Sequence, residues 1–260
     1  MEIFKDFSKF GLSNLQDLNL NIQIKEKSPS SVAPELTLKD IIYQKKVKCH
    51  ICNQIFNSSA IKLGKNQIQK VDDDLRTHYS IVDTIRYDVL SCPCGYTALT
   101  NTFTTPLPSQ RATIREKICT NYKAMPIEEI RSTQYTLDLY QLALATCLIK
   151  QGKNIEKAII CLRISWLYHD LKNDKLELEF IKNAYECFKL SLDIDTYPTL
   201  GYDFHRAVYI TSILAYKLGD YETALRFCSS IITDSSLNSK IKDRILILKS
   251  NINEKIKSKK

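Results

Sequence analysis

Four cysteines in the first half of the chain are the residues best suited to chemistry, because they occur as two short pairs. The two pairs, Cys49-His-Ile-Cys52 and Cys92-Pro-Cys94-Gly95, are separated by 39 residues. Each pair can form a tight turn that offers two thiolates, and four thiolates complete the tetrahedral shell of a structural Zn²⁺ site. Gly95 can adopt the positive φ that such a turn commonly needs. The pattern predicts a structural zinc site made by all four cysteines.

Other interpretations of these cysteines stay open. A redox Cys-x-x-Cys motif normally opens a helix in a βαβ unit and needs no second pair. Chance pairing among nine cysteines would leave no metal at all. Because the second pair is one residue shorter than Cys-x-x-Cys, His50 or His78 could replace a thiolate. A zinc ion held by four protein ligands has no open position, so we expect it to stabilise the fold and not to catalyse a reaction.

The remaining candidates for catalysis are few. Five further cysteines are scattered, most of them at apolar helical positions, and are interpreted as small buried hydrophobic residues; they are Cys119, Cys147, Cys161, Cys187 and Cys228. The sequence contains no Gly-rich phosphate loop, no Gly-x-Ser-x-Gly elbow and no His-Glu-x-x-His motif, and four histidines leave little material for acid–base work. We therefore predict that the protein is not an enzyme.

The elements that would position the cysteine pairs are short strands. Tyr43 and Val47 before the first pair, and Ile55 and Phe56 after it, alternate as in a hairpin. Residues 37–105 are accordingly predicted to form a small zinc-ribbon-like β module.

The segments on either side of this module have a different composition. Residues 1–36 are polar and weakly patterned, which predicts a flexible N-terminal arm. Residues 106–125 are predicted to be a connector, in which Pro106 and Pro108 block an early helix.

Residues 126–257 have the apolar spacing of helices. Pro126 is expected to lie at the start of the first helix, with Glu128 and Glu129 in its first turn. Six helices of roughly 14–18 residues joined by short loops predict an antiparallel stack. The predicted fold class is α+β, mainly α, with the β module first and the helical stack second.

The loop at Leu218-Gly219-Asp220-Tyr221 resembles the turn between the two helices of a tetratricopeptide repeat. A looser copy surrounds Gly152, which lies 67 residues before Gly219, close to two periods of 34. The stack is therefore predicted to be tetratricopeptide-like, with an unrelated stack of helical hairpins as the alternative.

The succession of motifs also resembles a known bacterial family. Both cysteine pairs, the Asp-Asp-Asp-Leu-Arg segment at residues 72–76 and the Arg86-Tyr-Asp segment occur in the order seen in domain of unknown function 2225. The resemblance covers roughly residues 38–235 and implies an intracellular bacterial protein, a zinc ribbon and no established activity. That family usually has Cys-x-x-Cys-Gly-Tyr at the second pair, so the shortened Cys92-Pro-Cys94 departs from it.

Charge and aromatic content suggest the partners. Residues 240–260 carry eight lysines or arginines against two acids, which accounts for six of the eight net positive charges. Residues 41–70 contain six lysines and no acid, so DNA or RNA is one possible partner. The alternative is that these lysines simply offset the thiolates and solubilise the hairpin. The three acids at residues 72–74 are interpreted as a solvated turn, in which Asp72 or Asp74 pairs with Arg76.

Aromatic side chains suggest a second class of partner. Five of them could line a peptide groove or belong to the core, namely Tyr140, Trp166, Tyr168, Tyr185 and Tyr216. The leading hypothesis is a cytoplasmic adaptor that binds a protein or peptide. A nucleic-acid-associated regulator that uses the zinc module and the basic tail is second, and an enzyme with an unrecognised site is third. The sequence has no membrane-spanning run.

Overall fold

Residues 36–258 are described in the computed structural model of the chain, and all but the last residue of the predicted N-terminal arm lies outside them. The first part of the described chain contains three antiparallel pairs of strands. The strands are β1 (Ile42–Lys48), β2 (Ile55–Ile61), β3 (Ile68–Val71), β4 (Thr77–Tyr79), β5 (Val89–Ser91) and β6 (Thr97–Leu99).

Two short helices flank the strands and six longer ones follow. The short helices are α1 (Leu38–Ile41) and α2 (Pro108–Ile114), the second continued by a π-helical turn at Arg115–Cys119. The longer ones are α3 (Thr133–Ile149), α4 (Asn154–Asp170), α5 (Asp174–Ile194), α6 (Phe204–Lys217), α7 (Tyr221–Ile231) and α8 (Ser239–Lys257). The mainly helical α+β class and the six-helix stack are thus confirmed.

The expectation that Pro106 and Pro108 block a helix was wrong. Pro108 is the first residue of α2. The first helical position tolerates proline, because its missing N–H would have no partner inside the helix and its φ is already helical. Gln110 completes the start of this helix by accepting a hydrogen bond from the Leu107 N–H at 3.0 Å.

The expected start of α3 at Pro126 was also wrong, since the helix begins at Thr133. Ser132 is its N-cap, and the Ser132 Oγ accepts a hydrogen bond from the Tyr135 N–H at 3.1 Å. Glu128 lies before the helix, where its carboxylate accepts from the Ser132 N–H at 2.8 Å. A serine cap three residues before a free N–H is a stronger start signal than the proline.

Three of the loops between helices end the preceding helix in the same way. In each, one residue has a left-handed φ, +52° at Gln151, +56° at Lys172 and +82° at Gly219. In each, the following N–H bonds the carbonyl oxygen five residues back, at 2.8, 3.0 and 3.0 Å. These are Schellman ends. Their positions are 21 and 47 residues apart, which differs from a 34-residue period, and the tetratricopeptide likeness stays a prediction.

The N-terminus of α4 lacks a cap of its own, because Lys153 precedes it without a side-chain hydrogen bond. Asp195, which follows α5, supplies the missing acceptor. Its Oδ2 lies 2.8 Å from the Ile155 nitrogen. The loop after α5 is therefore tied to the first turn of α4.

The largest hydrophobic core joins the strands to the helices. Val89 of β5 and Leu99 of β6 are buried in the same cluster as Leu137 and Tyr140 of α3. The Tyr140 hydroxyl also donates to the Ile85 carbonyl at 2.8 Å. A smaller core surrounds Cys49 and Cys92. The β5–β6 hairpin thus carries one cysteine pair while its strands pack on α3.

Candidate metal centre

The first cysteine pair lies in the turn that connects β1 to β2, as the alternation predicted. Cys49 closes the turn, since its N–H donates to the Gln54 carbonyl at 2.9 Å and its carbonyl accepts from the Asn53 N–H at 3.0 Å. Asn53 has a φ of +63°, a conformation that asparagine adopts more easily than most residues. The Ile51 N–H points at the Cys49 Sγ at 3.3 Å. Backbone hydrogen bonds therefore fix the conformation of the turn and the orientation of the Cys49 sulfur.

The second pair lies in the turn between β5 and β6. The Cys92 N–H donates to the Tyr96 carbonyl at 2.9 Å, and the Gly95 N–H donates to the Cys92 carbonyl at 2.8 Å. Gly95 has the expected positive φ, +95°. A Cβ at this position would also lie 2.6 Å from Cγ of Tyr122. Glycine is thus required here both by the backbone conformation and by the close approach of a ring.

All four sulfur atoms lie within 4.8 Å of one another. Cys49 Sγ is 3.7 Å from Cys94 Sγ, and Cys52 Sγ is 3.6 Å from Cys92 Sγ. Four sulfurs about 2.3 Å from a tetrahedral Zn²⁺ would be about 3.8 Å apart, and a disulfide would require about 2.05 Å. The residues therefore fit one metal ion, and the shortened Cys92-Pro-Cys94 turn brings both of its sulfurs to the cluster.

The electrostatic environment favours at least one thiolate. Thiol hydrogen bonds from Cys49 and Cys92 lower the pKa of Cys94 to about 3. The hydrogen bond with Cys49 raises the pKa of Cys92, because the proton is needed on that sulfur. A metal ion, which replaces thiol protons at such a cluster, would remove the opposition between the raised pKa of Cys92 and the lowered pKa of Cys94.

Two arginines hold the first turn from outside, and sequence analysis missed them. Arg115 donates to the Ile51 carbonyl from Nη2 at 2.7 Å and from Nε at 3.2 Å. Arg111 donates to the same oxygen at 3.1 Å. Both come from α2 and the turn after it, a segment we had interpreted as a connector. Their spacing of four residues on a helix was the signal that could have found them.

The proposed histidine substitutes do not join the sulfur cluster. His78 Nε2 lies 2.6 Å from Asp72 Oδ2, and His50 Nδ1 lies 3.0 Å from Thr105 Oγ1. The four-cysteine group contains neither ring. The structure therefore does not support the alternative in which His78 replaces a thiolate, because the β3–β4 hairpin pairs this histidine with an acid.

Three of the other five cysteines are buried, as the apolar pattern predicted, and two are only half-buried. Cys147, Cys161 and Cys228 are buried, whereas Cys119 and Cys187 are half-buried. Burial raises the pKa of Cys147 to about 12, so its thiol is poorly suited to act as a nucleophile. A hydrogen bond from Cys161 lowers the pKa of Cys187 to about 7.

The acidic segment at residues 72–74 is not a solvated turn throughout. Asp74 is buried and accepts hydrogen bonds from Trp166 Nε1 at 3.0 Å and from Lys217 Nζ at 2.5 Å. The expected pairing with the Arg76 side chain was wrong. That guanidinium binds Asp170 at 2.7 Å and Asp83 at 2.9 Å. The hydrogen bond that Arg76 gives to the Asp74 carboxylate comes from its backbone N–H.

Most of the candidate groove aromatics belong to the core. Tyr140, Trp166, Tyr168 and Tyr185 are all buried. Tyr216 is half-buried and lines a cavity of about 470 Å³ between α6 and α8. The core interpretation thus holds for four of the five, and the groove that exists contains only Tyr216 of these aromatics.

Comparisons with known proteins identify a family. A family model described as "Uncharacterized protein conserved in bacteria (DUF2225)" matches residues 42–252, a range that contains both cysteine pairs and the helices from α2 to α7. No curated protein and no solved structure matches the chain. None of the helices between residues 36 and 258 has the length and apolarity that a membrane crossing requires. The match spans more than half of the sequence, and the chain therefore belongs to this bacterial family, as the resemblance predicted.

Proposed function

We propose that the protein is a non-catalytic adaptor in which Zn²⁺, held by four cysteines, fastens two β-hairpins together beside a helical stack that binds a protein partner. The observation that carries the metal assignment is the set of four sulfurs within 4.8 Å. Cys49 and Cys92 are buried and the other two are half-buried. Such a closed set of thiolates suits a structural zinc ion and leaves no position for a reacting water.

Zinc would act by linking two hairpins that share no strand pairing. The β1–β2 and β5–β6 hairpins form separate sheets, and each contributes two sulfurs to the cluster. A structural zinc site contributes on the order of 10–16 kcal/mol in small peptides at neutral pH. The metal would therefore hold the knuckle of β1–β2 against the hairpin that packs on α3.

The test is the metal content of protein purified without chelator, measured by elemental mass spectrometry. We expect about one zinc per chain, lost in a Cys49→Ser, Cys94→Ser double variant together with thermal stability. The matched control is Cys187→Ser, which removes a half-buried thiol from α5 and should keep the metal. Iron in place of zinc, or metal-free protein of unchanged stability, would overturn the assignment.

The adaptor role is supported by the groove between α6 and α8. Buried Ile213 and Leu248 lie in its lining, and Ile247 lines it with 58% of its surface exposed. An accessible apolar cleft of this kind is suited to an apolar side chain of a partner. The lining also contains Lys240 and Arg244, which can orient polar groups.

The adaptor role is tested by selecting a displayed random-peptide library on the full chain. We expect enriched peptides whose binding is lost in Ile247→Glu and kept in Leu246→Glu. Leu246 is a matched control, since it is 51% exposed, adjacent in sequence and outside the groove lining. Peptides that bind equally well to both variants would show that the binding site lies elsewhere. Failure to enrich any peptide would contradict the adaptor role.

A further inference from the structure

The β1–β2 hairpin carries a group of exposed lysines on its first strand and just after its second. Lys45, Lys46 and Lys48 are exposed on β1, and Lys62 and Lys65 are exposed just after β2. No ion pair within residues 36–258 involves any of the five. The segment from residue 41 to residue 70 contains no acid. The nearest acids are Asp40, which lies close enough to Lys62 and Lys65 to feel their charge, and Glu129, which accepts a hydrogen bond from Gln44 at 3.0 Å. Within residues 36–258, neither acid forms an ion pair with Lys45, Lys46 or Lys48.

An aromatic ring lies at the edge of a cavity on the same strand. Tyr43 is 42% exposed and lines a cavity of about 190 Å³ together with Lys45, Leu63 and Thr84. One acid, Asp88, also lines this cavity, but its carboxylate is paired with Arg163 at 3.0 Å. Among the described residues that line this cavity, Lys45 is therefore the charged group that forms no ion pair.

The geometry of the strand distributes these groups on both sides of a narrow ribbon. Because side chains alternate along a strand, Tyr43 and Lys45 share one side of β1, while Lys46 and Lys48 share the other. Lys45 is paired in register with Ser58, and Lys46 with Asn57, so neither lies opposite an acid. A flexible polyanion that crosses the ribbon can contact lysines on both sides.

We propose that β1 binds single-stranded nucleic acid, with a base stacked on Tyr43 in the cavity and the backbone phosphates held by Lys45, Lys46 and Lys48. Exposed aromatic rings beside lysines are the combination that single-strand binding requires, since the ring stacks on a base and the cations neutralise phosphates. A duplex keeps its bases stacked on one another and cannot offer one to the cavity. This inference is independent of the proposed adaptor role, apart from needing a folded hairpin.

The test uses the full chain with its metal and a fluorescein-labelled single-stranded 12-nucleotide oligouridine, measured by fluorescence anisotropy at several salt concentrations. Each contacted phosphate contributes a slope of about −0.7 to log K against log salt, so three lysines give a slope of about −2. The triple variant Lys45→Gln, Lys46→Gln, Lys48→Gln is expected to weaken binding at least tenfold and to flatten this slope. The control Lys175→Gln, Lys182→Gln, Lys242→Gln changes the net charge equally at exposed helical sites and should change the affinity less than twofold.

The stacking part of the proposal has its own pair of variants. Tyr43→Ala is expected to weaken binding about tenfold, whereas Tyr43→Phe keeps the ring and should keep the affinity. Heparin, a duplex of the same length and phosphatidylserine vesicles are the competing polyanions. The proposal would be overturned if the two triple lysine variants had equal effects, or if Tyr43→Ala had no effect. It would also be overturned if duplex, heparin or vesicles bound as well as the single strand. Zinc content is measured on every variant, so that a lost metal site is distinguished from a lost binding surface.

Discussion

Trp166 of α4 donates a hydrogen bond from its indole nitrogen to Asp74 Oδ2 at 3.0 Å, joining the long helices to the turn between β3 and β4. The same carboxylate oxygen accepts from Lys217 at the end of α6. Asp74 is only 4% exposed, and a buried carboxylate is stable only when donors replace its water. The turn is therefore held by two helices that are adjacent to it in space and distant in sequence.

Replacing Asp74 is expected to destabilise the protein strongly. Asp74→Ala removes the acceptor of the indole N–H and leaves the Lys217 ammonium without its partner, which we expect to lower the free energy of unfolding by about 3 kcal/mol. Denaturant unfolding followed by Trp166 fluorescence measures this change. Asp73→Ala is the matched control, because Asp73 is the exposed neighbour, and its effect should stay within about 0.5 kcal/mol. Equal effects of the two substitutions would contradict the role of Asp74.

Gly152 is expected to tolerate no side chain, for a reason other than its backbone conformation. Its Cβ would lie 2.6 Å from Cys147 Sγ and 2.7 Å from Glu156 Oε2, while the left-handed residue of this turn is Gln151. Glu156 forms a buried ion pair with Lys150 at 2.7 Å, so it has little room to move.

Gly152→Ala should therefore lower the free energy of unfolding by about 1–3 kcal/mol. Gly64→Ala is the control, because nothing lies within 4 Å of its added Cβ. Thermal or denaturant unfolding compares the two variants, and a neutral Gly152→Ala would show that the ion pair moves freely.

Arg115 is expected to strengthen metal binding without touching a sulfur. Its two hydrogen bonds to the Ile51 carbonyl fix the turn between Cys49 and Cys52, and loss of such supporting contacts typically costs 10–100-fold in metal affinity. Arg115→Met should therefore weaken zinc binding about tenfold in competition with a chromophoric chelator. Lys117→Met, an exposed substitution in the same turn, should leave the affinity unchanged. A comparable loss in both would assign the effect to charge alone.

The loop between α7 and α8 is expected to lose stability in acid. Hydrogen bonds from the backbone and hydroxyl of Ser236, together with His205, lower the pKa of Asp234 to about 2. An unfolded aspartate has a pKa of about 3.9, so this contribution is complete above about pH 5 and declines as the pH falls toward 2. The melting-temperature difference between the protein and Asp234→Asn should shrink from pH 5 to pH 3. A constant difference would mean that the carboxylate charge does not matter.

Local pattern was sufficient for much of this molecule. The alternation around the first cysteine pair predicted the β1–β2 hairpin, and the helical spacing predicted six helices, because both periods follow from the geometry of one element. The start of a helix was predicted wrongly where two local signals competed. At α3 the N-cap is Ser132, and the helix does not begin at Pro126. The spacing of the four cysteines predicted a shared site, and their sulfurs are in fact clustered.

Tertiary packing decided which side chains serve those elements. Asp195 caps α4 from 40 residues away, Asp74 binds an indole 92 residues further on, and Arg115 steadies a carbonyl 64 residues before it. A buried polar group needs a hydrogen-bond partner, and that partner is whichever donor or acceptor the packing places beside it. Sequence alone determined the β1–β2 hairpin, the six long helices and the two cysteine turns, because these depend on neighbours along the chain. Their connections depend on neighbours in space, which are defined only after the core has packed.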